Sequence, residues 1–281
     1  MFDVVSGRAR LFTFGCSFTD YVWAMWPQVL ARQYDVPLYN YGKAGAGNMY
    51  MFNHIMQADC YYNFQPEDII AVCWTNVCRE DRYVDRQWYT AGNIFTNNQF
   101  EVDWVKQWVD PTGMAIRDYA AIKGAQEFIA SRTKNHLFLS MCDIVTRTDQ
   151  WSSSKAKPNP ASSLYQSSLT DIKPSFYDIL WQDDNMVKQK KDAKIVHKRF
   201  IDGHPSPAEA LEYLEAVTDI DFDTATRDAV QKSQLFWRDF CAENASGSSQ
   251  QIFRPSEMTE EQINNLTRGT QIWPQEKVMR L

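Results

Sequence analysis

Arg10-Leu-Phe-Thr-Phe-Gly15-Cys-Ser17 opens with a short apolar run, Leu11 to Phe14, that stops at a glycine and leads directly to Ser17. Such a run, bounded by a turn residue, reads as a strand buried on both faces. Beyond it, Val22, Trp26, Val29 and Leu30 recur at helical spacing, which predicts a helix between Tyr21 and Tyr34. Val36 to Asn40 reads as a second short strand, followed by the glycine-rich Gly42-Lys-Ala-Gly45-Ala-Gly47. Asn48 is the expected N-cap of a helix that places Met51, Phe52, Ile55 and Met56 on one face. Asp68 to Trp74, introduced by Pro66, is the clearest strand; a helix from about Ile116 to Ser131 then precedes a fourth strand, His136 to Cys142. Strands alternating with helices require parallel pairing, so the expected class is an α/β sandwich.

Two stretches break the alternation. Residues 80–115 carry Trp88, Tyr89, Phe95, Phe100, Trp104 and Trp108 without a clean period. Residues 146–194 begin in a Ser/Pro/Asn-rich loop and end in Lys188-Gln-Lys-Lys191. Both read as insertions over the strand ends. Helices are expected at Pro207 to Val217 and about Thr224 to Glu243, then a linker from Asn244 to Gln251. The organisation is one domain over 1–243 and a tail over 244–281 with a weak helix, Thr259 to Leu266. That tail is too short for its own core. It docks on the domain, reaches another chain, or moves freely.

The 281 residues are 44% apolar and 23% charged, which excludes a disordered or fibrous chain. Twenty-nine basic against thirty-five acidic residues give a net charge of −6, unlike the basic face of a nucleic-acid binder. That balance does not exclude a neutral or sugar-like ligand. The first ten residues lack the apolar segment of a secretory signal, and Ile69 to Trp74 is far too short to span a bilayer. Six cysteines stand at 16, 60, 73, 78, 142 and 241 without a common zinc spacing. They read as small buried hydrophobes, and no structural metal is expected.

Four features carry possible chemistry. Ser17 follows a buried strand at an expected turn into a helix; it either caps that helix or faces a ligand at the strand end. The Asn40 to Asn48 turn opens backbone N–H groups to an approaching oxygen, while lacking both the Walker A ending and the dinucleotide glycine spacing. Asn76 ends the best strand, as a turn residue or as an amide donor. Among the histidines, His54 and His136 fall in expected elements and His197 in a lysine-rich run. His204 differs, because Asp202-Gly-His204-Pro-Ser-Pro207 is a loop fixed by glycine and proline, with a carboxylate two residues before the imidazole. Asp202 can orient a ring whose other nitrogen takes a proton from serine.

Taken in order, these blocks resemble the SGNH (GDSL-like) hydrolase family over roughly residues 10–217. Gly15-Cys16-Ser17 resembles its GDS block, Gly45 its second-block glycine with Asn40 and Gly42 flanking, Trp74-Thr-Asn76-Val77 its Gly-x-Asn-Asp block, and Asp202-Gly-His204 its Asp-x-x-His block. Cys16 stands in place of the Asp of GDS, and Trp74 and Val77 in place of Gly and Asp. Asp202 lies two residues before His204, with Ile201 at the usual acid position.

The resemblance implies a three-layer, flavodoxin-like sandwich around a central parallel sheet, with insertions and a helical C-terminal tail. It further implies a serine esterase with Ser17 as nucleophile, His204 as base, Asp202 as its partner, and Gly45 and Asn76 at the oxyanion. No metal or organic cofactor is implied. The expected substrate is a small-molecule or glycan ester, O-acetylated carbohydrate first, with no nucleic-acid or membrane partner. Residues 80–115 either stack on sugar rings or pack as a cover. Arg79, Arg82 and Arg86 either bind an acid group or form a solvated face. The first and fourth blocks also resemble tailed-phage proteins, so the competing expectation is a structural or glycan-binding virion component, its tail meeting virion proteins or a second copy.

Overall fold

The computed structural model describes residue 2 and residues 8–95, 99–144, 163–165, 167–169, 171–181 and 203–244. Four parallel strands form the central sheet: β1 (Leu11–Gly15), β2 (Leu38–Gly42), β3 (Ile69–Trp74) and β6 (His136–Ser140), in the order β2-β1-β3-β6. Beyond β6, Phe138 makes one further parallel bridge to Ile172. Helices α1 (Trp26–Tyr34), α5 (Phe176–Trp181), α6 (Pro207–Val217) and α7 (Thr224–Asn244) pack together, while α2 (Asn48–Tyr62) packs with α4 (Pro111–Arg132). A hairpin of β4 (Arg79–Val84) and β5 (Gln87–Asn93), followed by α3 (Val102–Trp108), fills the aromatic insertion.

The sheet is parallel because helices carry the chain from one strand to the next, and its two central strands are buried on both faces. Every residue of β1 and β3 is buried. Register pairs Phe12 with Tyr39 and Phe14 with Tyr41, and these rings stack at 4.7 and 5.1 Å between centroids. Such neighbouring aromatic pairs stabilise a sheet beyond area burial. At the opposite end of the strands, buried Asp68 accepts from the Arg10 backbone N–H and from its guanidinium, which ties β1 to β3.

Several boundaries differ from the sequence reading. Helix α1 starts at Trp26 rather than Tyr21, because Pro27 sits in its first turn, the position proline favours. Ser17 therefore lies nine residues before α1. It neither caps that helix nor sits at its positive end. Gly47, rather than Asn48, is the N-cap of α2. Asn48 is the first helical residue and spends its side chain on Thr75, exchanging two hydrogen bonds of 2.9 and 3.0 Å with that residue's backbone. Strand β2 runs from Leu38 to Gly42, α4 begins at Pro111, and β6 ends at Ser140. Asp202, His197, most of the 146–194 insertion and the tail from 245 onward lie outside the described residues. Among the described residues no helix is long and apolar enough to cross a membrane.

Candidate active site

The order β2-β1-β3 makes the carboxyl ends of β1 and β3 a topological switch point, where α/β sheets leave a crevice for ligands. Ser17 leaves β1 there, and Thr75-Asn76 leaves β3. The Ser17 turn is closed by the Cys16 carbonyl, which accepts from the N–H groups of Thr19 at 2.9 Å and Asp20 at 3.2 Å. Glycine at 15 is a steric necessity, since a Cβ would lie 1.9 Å from the Thr19 hydroxyl oxygen. Cys16 and Phe18 are buried and Ser17 between them is half-exposed. The turn thus points its serine outward and its neighbours inward.

Asn40 clamps the glycine loop to this turn. Its Oδ1 accepts from the Thr13 hydroxyl at 3.0 Å and the Gly42 N–H at 2.9 Å, while its Nδ2 donates to the Thr19 carbonyl at 3.1 Å. Gly42 lets the two segments meet, for a Cβ there would sit 2.5 Å from that of Asp20. Gly45 has φ +76°, and its carbonyl accepts from the Gly92 N–H of β5 at 3.1 Å. The glycine loop is therefore packed against the β4–β5 hairpin, and Lys43 adds a 2.7 Å bond from Nζ to the Trp88 carbonyl. Asp81 of the same hairpin accepts from the N–H groups of Gly47 and Tyr50 at the start of α2. Burial raises the Asp81 pKa, and those two N–H bonds oppose the rise.

Asn76 is buried, and its Oδ1 accepts from the Cys78 N–H at 2.7 Å. That bond fixes the amide and leaves Nδ2 as the donor face; no acceptor among the described residues engages it. Thr75 beside it is locked by Asn48, whose Nδ2 also donates to Asp118 at 3.0 Å. Burial pushes the Asp118 carboxyl up to about 7 against the opposing pull of Arg117.

His204 comes from the other side of the crevice, in the loop before α6. Its ring stacks on Tyr21 at 3.8 Å between centroids and meets Phe18 at 5.5 Å. Trp23 Nε1 donates to the Pro205 carbonyl at 2.7 Å, and Ser206 with Glu209 forms a capping box that fixes the entry into α6. The segment 17–23 thus carries the serine and also grips the histidine loop. Sequence reading missed Tyr21 and Trp23 as parts of the site, because their apolar spacing was absorbed into a helix.

Of the predicted residues, Ser17, His204, Gly45 and Asn76 come from four segments joined by these contacts, and Asp202 lies outside the described residues. The cysteines beneath the site are buried: burial pushes the Cys142 thiol up to about 12 and raises Cys73 as well, so both are neutral thiols. His54 and His136 are placed in α2 and β6 as expected, and burial lowers His54 to about 4.

No protein-family model matches the chain, and no curated protein matches it. Among solved structures, it is similar to the crystal structure of a member of the lipolytic protein G-D-S-L family from Veillonella parvula DSM 2008, at 16% identity and a TM-score of 0.40. That match covers 75% of this chain and all of the other.

Proposed function

We propose that the chain is a serine esterase that hydrolyses short acyl esters, O-acetyl groups on carbohydrate foremost. One observation carries this reading. The half-exposed Ser17 at the β1–β3 switch point and the imidazole of His204 are held by the same segment, through Phe18 and Tyr21.

In the proposed reaction, His204 takes the Ser17 hydroxyl proton as the oxygen attacks the ester carbonyl, forming a tetrahedral oxyanion. The Ser17 and Gly45 N–H groups and Asn76 Nδ2 donate to that oxyanion. Collapse breaks the bond to the alcohol, which leaves with the proton held by His204. Water, deprotonated by His204, then attacks the acyl-serine, and the released serine oxygen recovers the proton. Asp202 orients the imidazole in this scheme.

The carbohydrate preference rests on the hairpin. Trp88 lines two adjoining cavities of about 250 and 490 Å³ between α2 and the β4–β5 hairpin. The first begins at Asn40 and Gly42, beside the Ser17 turn; the second adds Tyr61, Tyr83 and the Asn53 amide. Aromatic faces interleaved with amides suit sugar rings, which show apolar C–H faces and hydroxyl edges.

The test is p-nitrophenol release from p-nitrophenyl acetate by wild type and Ser17→Ala, with labelling by a serine-directed fluorophosphonate. Turnover and label should both vanish in a folded Ser17→Ala protein, a loss of at least ~1000-fold. A wild type that neither turns over nor labels refutes the esterase.

A further inference from the structure

The hairpin carries three arginines, and they are not equivalent. Arg82 pairs with Glu80 at 2.7 Å, while Arg86 lines the smaller cavity on the surface of the hairpin. Arg117 of α4, packed beside them, pairs with both Glu80 and Asp118. Arg79 is half-buried, yet it has no carboxylate partner among the described residues. Its guanidinium reaches one carbonyl, Ala46 at 3.0 Å, and one thioether, Met141 Sδ at 3.4 Å. A guanidinium carries five N–H donors and a full charge, and the described residues use only part of that capacity. Asp81, next along β4 but one, spends both oxygens on the N-terminus of α2.

Its position is informative. Met141 Sδ, which Arg79 touches, also lies 3.8 Å from Cys16 Sγ and 3.6 Å from the Thr75 hydroxyl. Cys16 precedes Ser17 and Thr75 precedes Asn76, so one sulfur joins the arginine to both strand ends. Ala46, whose carbonyl receives the other bond, follows Gly45. The charge is felt by Cys142 and Tyr177 on the β6 side of the crevice. Asp81 feels this charge too, but among the described residues no carboxylate is in ion-pair contact with the guanidinium; a cation held in this way among three segments that converge on one crevice is costly to bury unless an anion meets it.

We propose that Arg79 is a specificity-determining residue that receives a second anionic group of the substrate, a carboxylate or phosphate carried near the scissile ester. This assignment rests on the esterase reading for the reaction and on the arginine alone for the charge. Planar, bidentate recognition of such oxygens is the interaction for which arginine is best shaped.

The experiment compares mono-p-nitrophenyl succinate, which carries a free carboxylate, with neutral p-nitrophenyl acetate, in wild type, Arg79→Gln and Arg79→Lys. The readout is the ratio of kcat/KM for charged over neutral ester. Wild type should favour the charged ester; Arg79→Gln should lower the ratio about 10- to 100-fold, mainly through KM, and Arg79→Lys should restore part of it. A ratio that stays constant while both rates fall means that Arg79 only holds the Ala46 carbonyl, and overturns the proposal. Binding separates this outcome from failure of the esterase itself. Calorimetric titration of folded Ser17→Ala should show monomethyl succinate binding more tightly than dimethyl succinate, with the difference removed by adding Arg79→Gln. If that difference is absent, the proposal fails even where hydrolysis is found; if present without hydrolysis, the anion site stands and the esterase falls. Methyl phosphate competing better than monomethyl succinate assigns the site to phosphates, and the reverse to carboxylates.

Discussion

Tyr21 lies flat against His204, with ring centroids 3.8 Å apart and planes within 20° of parallel. A ring stacked this closely limits tilting of the imidazole about its Cβ–Cγ bond, and the Trp23 bond to Pro205 fixes the loop that carries it. Because Tyr21 is only half-buried, its removal should disturb orientation more than stability. Tyr21→Ala is expected to lower kcat by roughly 10- to 100-fold, the scale of a misplaced catalytic group. Its melting temperature should stay close to wild type. Steady-state kinetics beside calorimetry checks this; an unchanged kcat would detach His204 from the reaction.

Asn76 makes a different prediction, because in the proposed reaction its contribution belongs to the transition state. Oδ1 is bound to the Cys78 N–H, and the proposed reaction has Nδ2 meet an oxyanion that exists only after attack. Asn76→Ala should lower kcat about 100- to 1000-fold and leave KM within a few fold. Asn76→Asp keeps the acceptor for Cys78 while replacing the donor by a negative charge, so it should be at least as impaired. Equal losses in affinity and turnover would instead mark Asn76 as a turn residue.

The fold was readable where chemistry along the chain is local. Leu11 to Phe14 and Ile69 to Trp74 are apolar at every position or nearly so, and a strand buried on both faces leaves little alternative. The start of α1 was not readable in the same way, since Val22 satisfies helical spacing although Pro27 sets the boundary. The 80–115 insertion hid a hairpin because its outward residues, Tyr83, Val84 and Tyr89, are exposed aromatics and a valine, erasing the alternation that marks a strand. Asn48 looked like a cap and instead locks Thr75, a contact across 27 residues that no local pattern encodes. Ser17, Gly45, Asn76 and His204 were legible as strand ends and loops. The stacking of Tyr21 on His204 and the contacts of Arg79 with Ala46 and Met141 depend on partners far away in sequence.

Gly45 tests the loop that links the hairpin to the crevice. Its φ of +76° is strained for other residues, and a Cβ would stand 2.6 Å from the Thr90 carbonyl oxygen. Neither problem can be relieved by a side-chain rotation, because both involve backbone. Gly45→Ala should destabilise the protein by about 1–3 kcal/mol and displace the backbone N–H at 45 from the oxyanion contact that the proposed reaction gives it. Activity should fall further than the folded fraction. Urea unfolding combined with activity per folded molecule checks this, and a variant as active per folded molecule as wild type would remove the loop from the oxyanion site.

Acid stability should respond to two buried groups that act in opposite senses. His54 stacks on Tyr50 at 3.9 Å, meets Trp88 and Tyr41, bonds through Nδ1 to the Tyr50 carbonyl, and feels Lys43. Burial first, then Lys43, lowers its pKa from 6.5 to about 4, so between those values the unfolded chain binds the extra proton. Stability from this group is complete above pH 6.5 and is lost as pH falls toward 4, by about 2–3 kcal/mol. Asp118 runs the other way. Burial raises it from 3.8 to about 7 despite Arg117 and Asn48, so the folded protein holds the proton more tightly over that range. Its effect is to stabilise as pH falls from 7 toward 4. In wild type the two slopes oppose, and unfolding midpoints in urea should change little between pH 7 and 5. His54→Phe keeps a ring among the aromatics and removes one slope, leaving a protein that gains stability on acidification relative to wild type. Asp118→Asn removes the other and should lose stability over the same interval. Parallel pH dependence in all three proteins would show that neither group is titrating as its burial requires.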